Sequence, residues 1–161
     1  DRVWSERLDD GRTRPPWPWA DFTPIARLEV RRLGIDRPIL SDASGRTLAF
    51  GLGHVPGTAR PGEPGACVIA GHRDTWAAFL RELRPGEEVL VRAPAGGRRY
   101  RITGTAVVDA REYRVEAGTT SGGVSAAASG VPADVLVLTT CWPFGAVRSG
   151  TLRYVVLAAP V

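Results

Sequence analysis

The chain reads as a mainly-β domain closed, or nearly closed, into a barrel with one or two short helices. Three observations predict this. Short runs rich in Val, Ile, Leu, Thr and Tyr recur along the sequence. Gly and Pro, 19 and 13 in 161 residues, punctuate the gaps between them. Only one stretch carries the spacing of an amphipathic helix.

In chain order, Ile25 to Arg31 alternates apolar and charged residues, and Leu33 to Leu40 is a second β-rich run turned at Gly34 and Pro38. Phe50 to Gly65 is studded with Gly and Pro and reads as loop. Ala66 to Ala70 is a continuous apolar run, the pattern of a buried strand. Thr75 is placed to cap a short helix through Leu83, with Trp76, Phe79, Leu80 and Leu83 on one face, ended by Pro85-Gly86. Val89 to Val91, Tyr100 to Val108, Val135 to Thr139 and Leu152 to Leu157 are further strands. Gly96-Gly97 suits a hairpin turn between two of them. Gly118 to Gly130 is small and polar, and reads as a mobile loop or a weak helix.

Residues 1–24 differ from the rest and are set apart, as an extension, from a folded domain over 25–161. Arg2 to Arg14 is charged and could hold a short helix; Arg14-Pro15-Pro16-Trp17-Pro18-Trp19 is a stiff polyproline-like stretch with two indoles. It either wraps the domain with its tryptophans docked on apolar surface or serves as a membrane-proximal linker. The absence of Met, even at position 1, leads us to expect a processed or trimmed chain.

Composition narrows the function. A domain this long buries roughly 70% of its unfolded surface and needs no staples. Net charge is +4, and all 21 basic residues are Arg. These arginines are scattered, with no basic helix and no aromatic-basic interleaving, which argues against nucleic-acid binding and permits a mild attraction to anionic envelope surfaces. No apolar run is long enough for a membrane span. Two cysteines are too few for a disulfide scaffold, and nothing suggests zinc or another cofactor. No carboxylate cluster for calcium is evident, Glu112 and Glu116 reading as solvated loop charges.

The chemistry concentrates at strand ends. Cys141 closes the run Leu138-Thr139-Thr140, and Pro143 forbids its continuation. His72 follows the run Val68-Ile69-Ala70 and Gly71, and Arg153 opens Arg153-Tyr154-Val155-Val156. A thiol, an imidazole and a guanidinium so placed suffice for acyl transfer through a thioester. Cys141 would be the nucleophile, His72 the proton carrier and Arg153 the cation facing the oxyanion and the thiolate. An unaided thiol, with a pKa of about 8.5, is only a few per cent ionised at neutral pH, and a nearby guanidinium favours the thiolate. A stable thiolate–imidazolium pair and a mostly neutral pair both remain open. Arg148 is the reserve candidate for the cation, on more flexible backbone. Cys67, inside Ala66-Cys67-Val68-Ile69, reads as a core residue, and His54 as a turn residue. Were the strands of Cys67 and Cys141 neighbours, a disulfide could silence the nucleophile.

Leu138-Thr139-Thr140-Cys141 before a loop and an Arg-initiated strand, with Gly71-His72-Arg73-Asp74-Thr75 and Gly53-His54-Val55-Pro56-Gly57-Thr58-Ala59 upstream, resembles the sortases, cysteine transpeptidases of bacterial envelopes. The resemblance runs from about Ile25 to Ala159. Trp17-Pro18-Trp19-Ala20-Asp21 and Cys141-Trp142-Pro143-Phe144 look most like the sortases of Gram-negative proteobacteria. One departure is visible: Val137 stands where the family signature usually opens with Thr. The resemblance implies an eight-stranded barrel with His72, Cys141 and Arg153 in the catalytic positions. It also implies a substrate protein with an LPXTG-like C-terminal signal cleaved between Thr and Gly, and an amine acceptor in the envelope. An N-terminal membrane anchor preceding this chain and an extracytoplasmic location, periplasmic in a Gram-negative cell, follow from the same resemblance. Thr140, Trp142 and Val137 would contact the substrate, Trp142 and the 142–151 loop on the leaving-group side. Two other readings remain: a cysteine hydrolase using the same residues, and a non-enzymatic β-barrel binding module.

Overall fold

The computed structural model describes residues 18–112, 132–148 and 150–161. Eight strands close into a barrel in the order β1-β2-β3-β4-β7-β8-β6-β5. They are β1 (Pro24–Val30), β2 (Ile35–Leu40), β3 (Leu52–His54), β4 (Ala66–Ala70), β5 (Glu88–Ala93), β6 (Gly96–Asp109), β7 (Val135–Cys141) and β8 (Leu152–Pro160). Neighbours are antiparallel except β2–β3 and β4–β7, which are parallel. The mainly-β, closed-barrel expectation is met, and among the described residues the helical content is three short 3₁₀ turns at Arg31–Leu33, Thr47–Ala49 and Ala78–Glu82. No helix among the described residues is long and apolar enough to cross a membrane.

Alternate residues of the strands fill the barrel. Leu28 and Val30 of β1, Cys67 and Ile69 of β4, Tyr100 and Ile102 of β6, and Leu136 and Leu138 of β7 share one buried cluster with Phe79, Leu80 and Leu83. The alternate residues Ala66, Val68, Val135, Val137 and Val155 form a second cluster on the outer face, against which Val55, Val108 and Leu157 pack. The strands β4 and β7 are therefore covered on both sides. That is why they appear in the sequence as unbroken apolar runs rather than alternating ones.

The structure corrects four expectations. The segment Phe50 to Gly65 is not all loop, because β3 lies inside it, parallel to β2 and antiparallel to β4. It is short and its middle residue is glycine for a steric reason. A Cβ on Gly53 would lie 2.5 Å from the Asp42 carbonyl oxygen and 2.8 Å from the Ala43 Cα, where the preceding loop crosses the strand. Gly53→Ala is accordingly expected to destabilise the fold by about 1–3 kcal/mol, read as a fall in Tm of roughly 2–12 °C; an unchanged Tm would mean that the crossing loop yields freely.

Secondly, the helix expected from Thr75 to Leu83 is only the 3₁₀ turn Ala78–Glu82, with no side-chain cap. The amides of Thr75 and Ala77 both bond the His72 carbonyl, so tight turns occupy its first residues. Phe79, Leu80 and Leu83 do face inward as the spacing required. Thirdly, the β5–β6 hairpin turns at Pro94-Ala95, with Ala93 paired to Gly96, so Gly96-Gly97 begins β6 instead of forming the turn. Gly96 has φ +136°, a conformation open to glycine. Fourthly, Pro38 does not end β2 but lies within it, opposite Arg27. The strand β3 pairs only with Ile39 and Leu40, so the outer edge at Pro38 carries no ladder for a missing donor to break.

Trp19, docked on apolar surface in one of the two readings of this segment, is 67% exposed. The anchor of this segment is Phe22, 4% exposed and stacked on Phe50 at 5.3 Å between centroids. The expectations on Arg2 to Trp17, on Gly118 to Gly130 and on Glu116 lie outside the described residues.

Candidate active site

Two strand pairings decide what meets at the barrel rim. The strands β4 and β7 run parallel with Ala70 beside Thr139, so the residues following Ala70 and those following Thr139 emerge at the same end. The strands β7 and β8 run antiparallel with Cys141 opposite Arg153. His72, Cys141 and Arg153 therefore converge, and all three line one cleft of about 420 Å³. Its floor is the outer apolar face of the sheet, with Val68, Val137 and Val155, and its flanks include Leu48, Val55, Thr58 and Val108.

The His72 segment is braced against β7, the strand that ends at Cys141. The Gly71 amide donates to the Thr139 carbonyl at 3.2 Å. Thr140, 3% exposed, donates its hydroxyl to the Gly71 carbonyl at 2.7 Å. This buried bond spans the residues immediately before His72 and Cys141. Gly71 itself is packed too tightly for a side chain, since its Cβ would sit 2.8 Å from both Ala77 Cβ and Leu52 Cδ2. The His72 carbonyl accepts the amides of Thr75 and Ala77. Its backbone is thus fixed while its side chain stands exposed at the mouth.

Arg153 is half-buried, and its Nη1 donates to the carbonyls of Gly150 and Leu152 at 2.7 and 2.9 Å. Acceptors from its own backbone hold the guanidinium at the rim. Arg148 is exposed and is not among the residues lining the cleft.

The residues expected to contact substrate divide. Thr140 and Val137 line the cleft, Val137 on its apolar floor and Thr140 with its hydroxyl proton held by Gly71. Trp142 is absent from that lining. It stacks on Tyr154 at 5.6 Å and meets Phe144 edge-on at 5.8 Å, an aromatic cluster at the root of the loop after β7. The Trp142–Pro143 peptide is cis.

One residue of the Gly71-His72-Arg73-Asp74-Thr75 motif has a position that the sequence did not disclose. Arg73 is 7% exposed, and its Nη2 donates to the carbonyls of Ala146 and, at 3.3 Å, Arg148. It thereby ties the loop joining Cys141 to Arg153 onto the turn that carries His72. Its place beside the histidine was the available signal, but a solvated arginine and a buried one look alike in sequence. His54, 8% exposed, bonds the Ala59 carbonyl through Nε2 at 2.9 Å and lies 3.0 Å from the Thr58 hydroxyl, shaping the loop that forms one flank of the cleft.

The two cysteines are free and well separated. Cys67 is paired in register with Leu136, five positions before Cys141, a separation of about 16 Å along a strand. Burial pushes the Cys67 thiol up to about 12, whereas Cys141 reaches the cleft surface. Iodoacetamide at neutral pH is therefore expected to alkylate Cys141 and spare Cys67 in the folded protein, read by peptide mass spectrometry. Equal labelling, or equal inertness, would contradict this difference.

The closed eight-stranded barrel, with a thiol, an imidazole and a guanidinium at one rim, has counterparts among known proteins. The Sortase domain family model matches residues 28–161, and the chain belongs to the sortase family. It is 29% identical over 129 residues to Sortase D of Bacillus subtilis (strain 168), covering 80% of this chain and 60% of that protein's length. Among solved structures it is similar to sortase A from Corynebacterium diphtheriae, with TM-score 0.70, 23% identity, and 89% and 63% of the two chains covered. It is likewise similar to sortase C-1 from Actinomyces oris, with TM-score 0.67, 28% identity, and 86% and 74% covered.

Proposed function

We propose that this protein is a cysteine transpeptidase that cleaves a C-terminal sorting signal of LPXTG-like sequence and passes the acyl group to an amine. The observation that carries the reading is the register: Cys141 opposite Arg153, with His72 delivered to the same rim by the parallel β4–β7 pair. Family membership supports the same reaction class.

In the proposed reaction the signal lies along the apolar groove over Val68, Val137 and Val155. The Cys141 sulfur attacks the Thr–Gly carbonyl carbon, and Arg153 faces the oxygen on which negative charge develops. His72 delivers a proton to the departing amine, the C–N bond breaks, and a thioester remains on Cys141. An incoming amine then attacks the thioester and returns the free thiol. Thr140 and Arg73 act as positioning residues: the first joins the His72 segment to the Cys141 strand, the second joins it to the loop between Cys141 and Arg153. Val137 contributes to the groove floor, and Trp142 shapes the leaving-group side through its aromatic cluster with Phe144 and Tyr154.

The enzyme would act at the cell envelope, outside the cytoplasmic membrane, held by an anchor preceding this chain. The resemblance to proteobacterial sortases, and with it a periplasmic site, rests on Trp17-Pro18-Trp19-Ala20-Asp21 and Cys141-Trp142-Pro143-Phe144 alone. The relatives named above add nothing to that finer assignment.

Mass spectrometry of the protein incubated with a library of LPXTG-like peptides tests the reading. An adduct on Cys141 equal to the acyl half of one peptide, converted to a ligated product when an amine is added, is the expected result. Peptide cleavage with no ligation under saturating amine would make the protein a hydrolase, and no adduct with any peptide would refute the reading.

A further inference from the structure

One flank of the groove is a single loop, residues 41–51, which joins β2 to β3 and supplies Ala43 and Leu48 to the lining. Its inner side lies directly on β3, since a Cβ on Gly53 would come 2.7 Å from the Leu48 Cδ2. Asp42 keeps its shape from within, accepting the Ser44 amide at 3.1 Å and the Thr47 hydroxyl at 2.8 Å. Its outer side is held by the chain that precedes the barrel. The Ser41 amide donates to the Thr23 carbonyl at 2.9 Å, and the Thr23 amide donates to the Ser41 hydroxyl at 3.1 Å. The buried Phe22 stacks on Phe50, at the far end of the same loop. We propose that Phe22 is a positioning residue for the signal peptide: by holding Phe50 it seats the loop so that Ala43 and Leu48 stand at the groove. The segment before β1 thereby sets affinity for the signal and leaves the chemistry alone; the inference rests on the transpeptidase reading above.

The loop's ties divide by what they fix. The bonds to Asp42 lie inside the loop, so they preserve its fold without attaching it to the barrel. The Ser41–Thr23 bonds fix the point where it leaves β2. At its other end the Trp76 Nε1–H donates to the Ala49 carbonyl at 3.1 Å, and the ring of Phe50 rests on Phe22. The Asp21–Arg46 pair adds little, because both side chains are well exposed. Neither Phe22 nor Phe50 lines the groove, so each acts on a bound peptide only through the loop.

A wall that is seated only part of the time lowers apparent affinity in proportion to that fraction. Loss of the Phe22 ring therefore weakens binding by up to the worth of the stacked pair. His72, Cys141 and Arg153 stand at the ends of β4, β7 and β8, away from this loop, so their mutual geometry is kept.

Steady-state kinetics on one LPXTG-like peptide test this. Phe22→Ala is expected to raise KM about two- to tenfold, the range one aromatic pair supplies, with kcat and the rate of Cys141 alkylation by iodoacetamide unchanged. Phe50→Ala should raise KM equally, and the double variant little more than either single one, since both remove the same contact. Phe22→Leu, which keeps apolar bulk, should restore part of the loss. Ile102→Val, a buried change on β6 outside the groove lining, is the control for lowered stability alone and should leave KM as it is. If Phe22→Ala does not fold, Phe50→Ala decides, because that ring is 37% exposed. KM unmoved in the phenylalanine variants, a rise matched by Ile102→Val, or a fall in kcat in place of a rise in KM overturns the role of Phe22 while leaving the thioester chemistry intact. Failure of the unsubstituted protein to form any Cys141 adduct overturns the transpeptidase reading and this one together.

Discussion

Cys141→Ala is expected to abolish acyl transfer, with kcat/KM for a cleavable signal peptide falling by about 10⁴-fold or more, as when the nucleophile of a concerted site is removed. His72→Ala should cost about 10²–10⁴-fold, the usual worth of a positioned proton carrier. The two losses should not add in the double variant, because neither group does its work without the other. The structure predicts that the barrel survives both changes. His72 is exposed, and Cys141 is only half-buried at the last position of β7, outside the clusters that fill the barrel and cover its outer face. Circular dichroism and Tm therefore separate lost chemistry from lost folding. Cys141→Ala with cleavage intact would remove the thiol from the mechanism. His72→Ala with full activity would hand the proton to another group, and His54 could not serve, its Nε2 lying against the Ala59 carbonyl.

How much of this could be read from the sequence depends on how each residue's surroundings constrain its type. The strands β4 and β7 were legible because both faces are covered, which leaves Ala66 to Ala70 and Val135 to Leu138 no polar position. The strand β3 was not, because the loop over it admits only glycine at 53, and glycine in a short segment reads as a turn. The short helix was overextended because its apolar spacing reports which side chains face the core, not how the backbone between Arg73 and Ala77 is turned. The same division holds at the site. His72, Cys141 and Arg153 stand out because each lies where an apolar strand meets a polar rim. The bracing by Thr140 and Arg73 links residues about 70 positions apart in sequence, and no local pattern encodes a hydrogen bond to a distant backbone carbonyl.

The second large effect is expected at Arg153. Arg153→Ala should lower kcat by about 10²–10³-fold, the cost of removing one oxyanion donor, and Arg153→Lys should recover little of it. Lysine supplies the charge, but a point ammonium cannot hold the Gly150 and Leu152 carbonyls while turning other hydrogens of a planar fork toward the cleft. The fall should appear in kcat more than in KM, because the developing oxyanion exists only in the transition state. Arg148→Ala is the control. Its side chain is exposed, it does not line the cleft, and its contribution to the loop is the backbone carbonyl that Arg73 holds, which alanine retains. Steady-state kinetics on one signal peptide decide between them. If Arg148→Ala proves the more damaging change, the cation facing the oxyanion comes from the loop, and the pairing of Cys141 with Arg153 serves only to close the barrel.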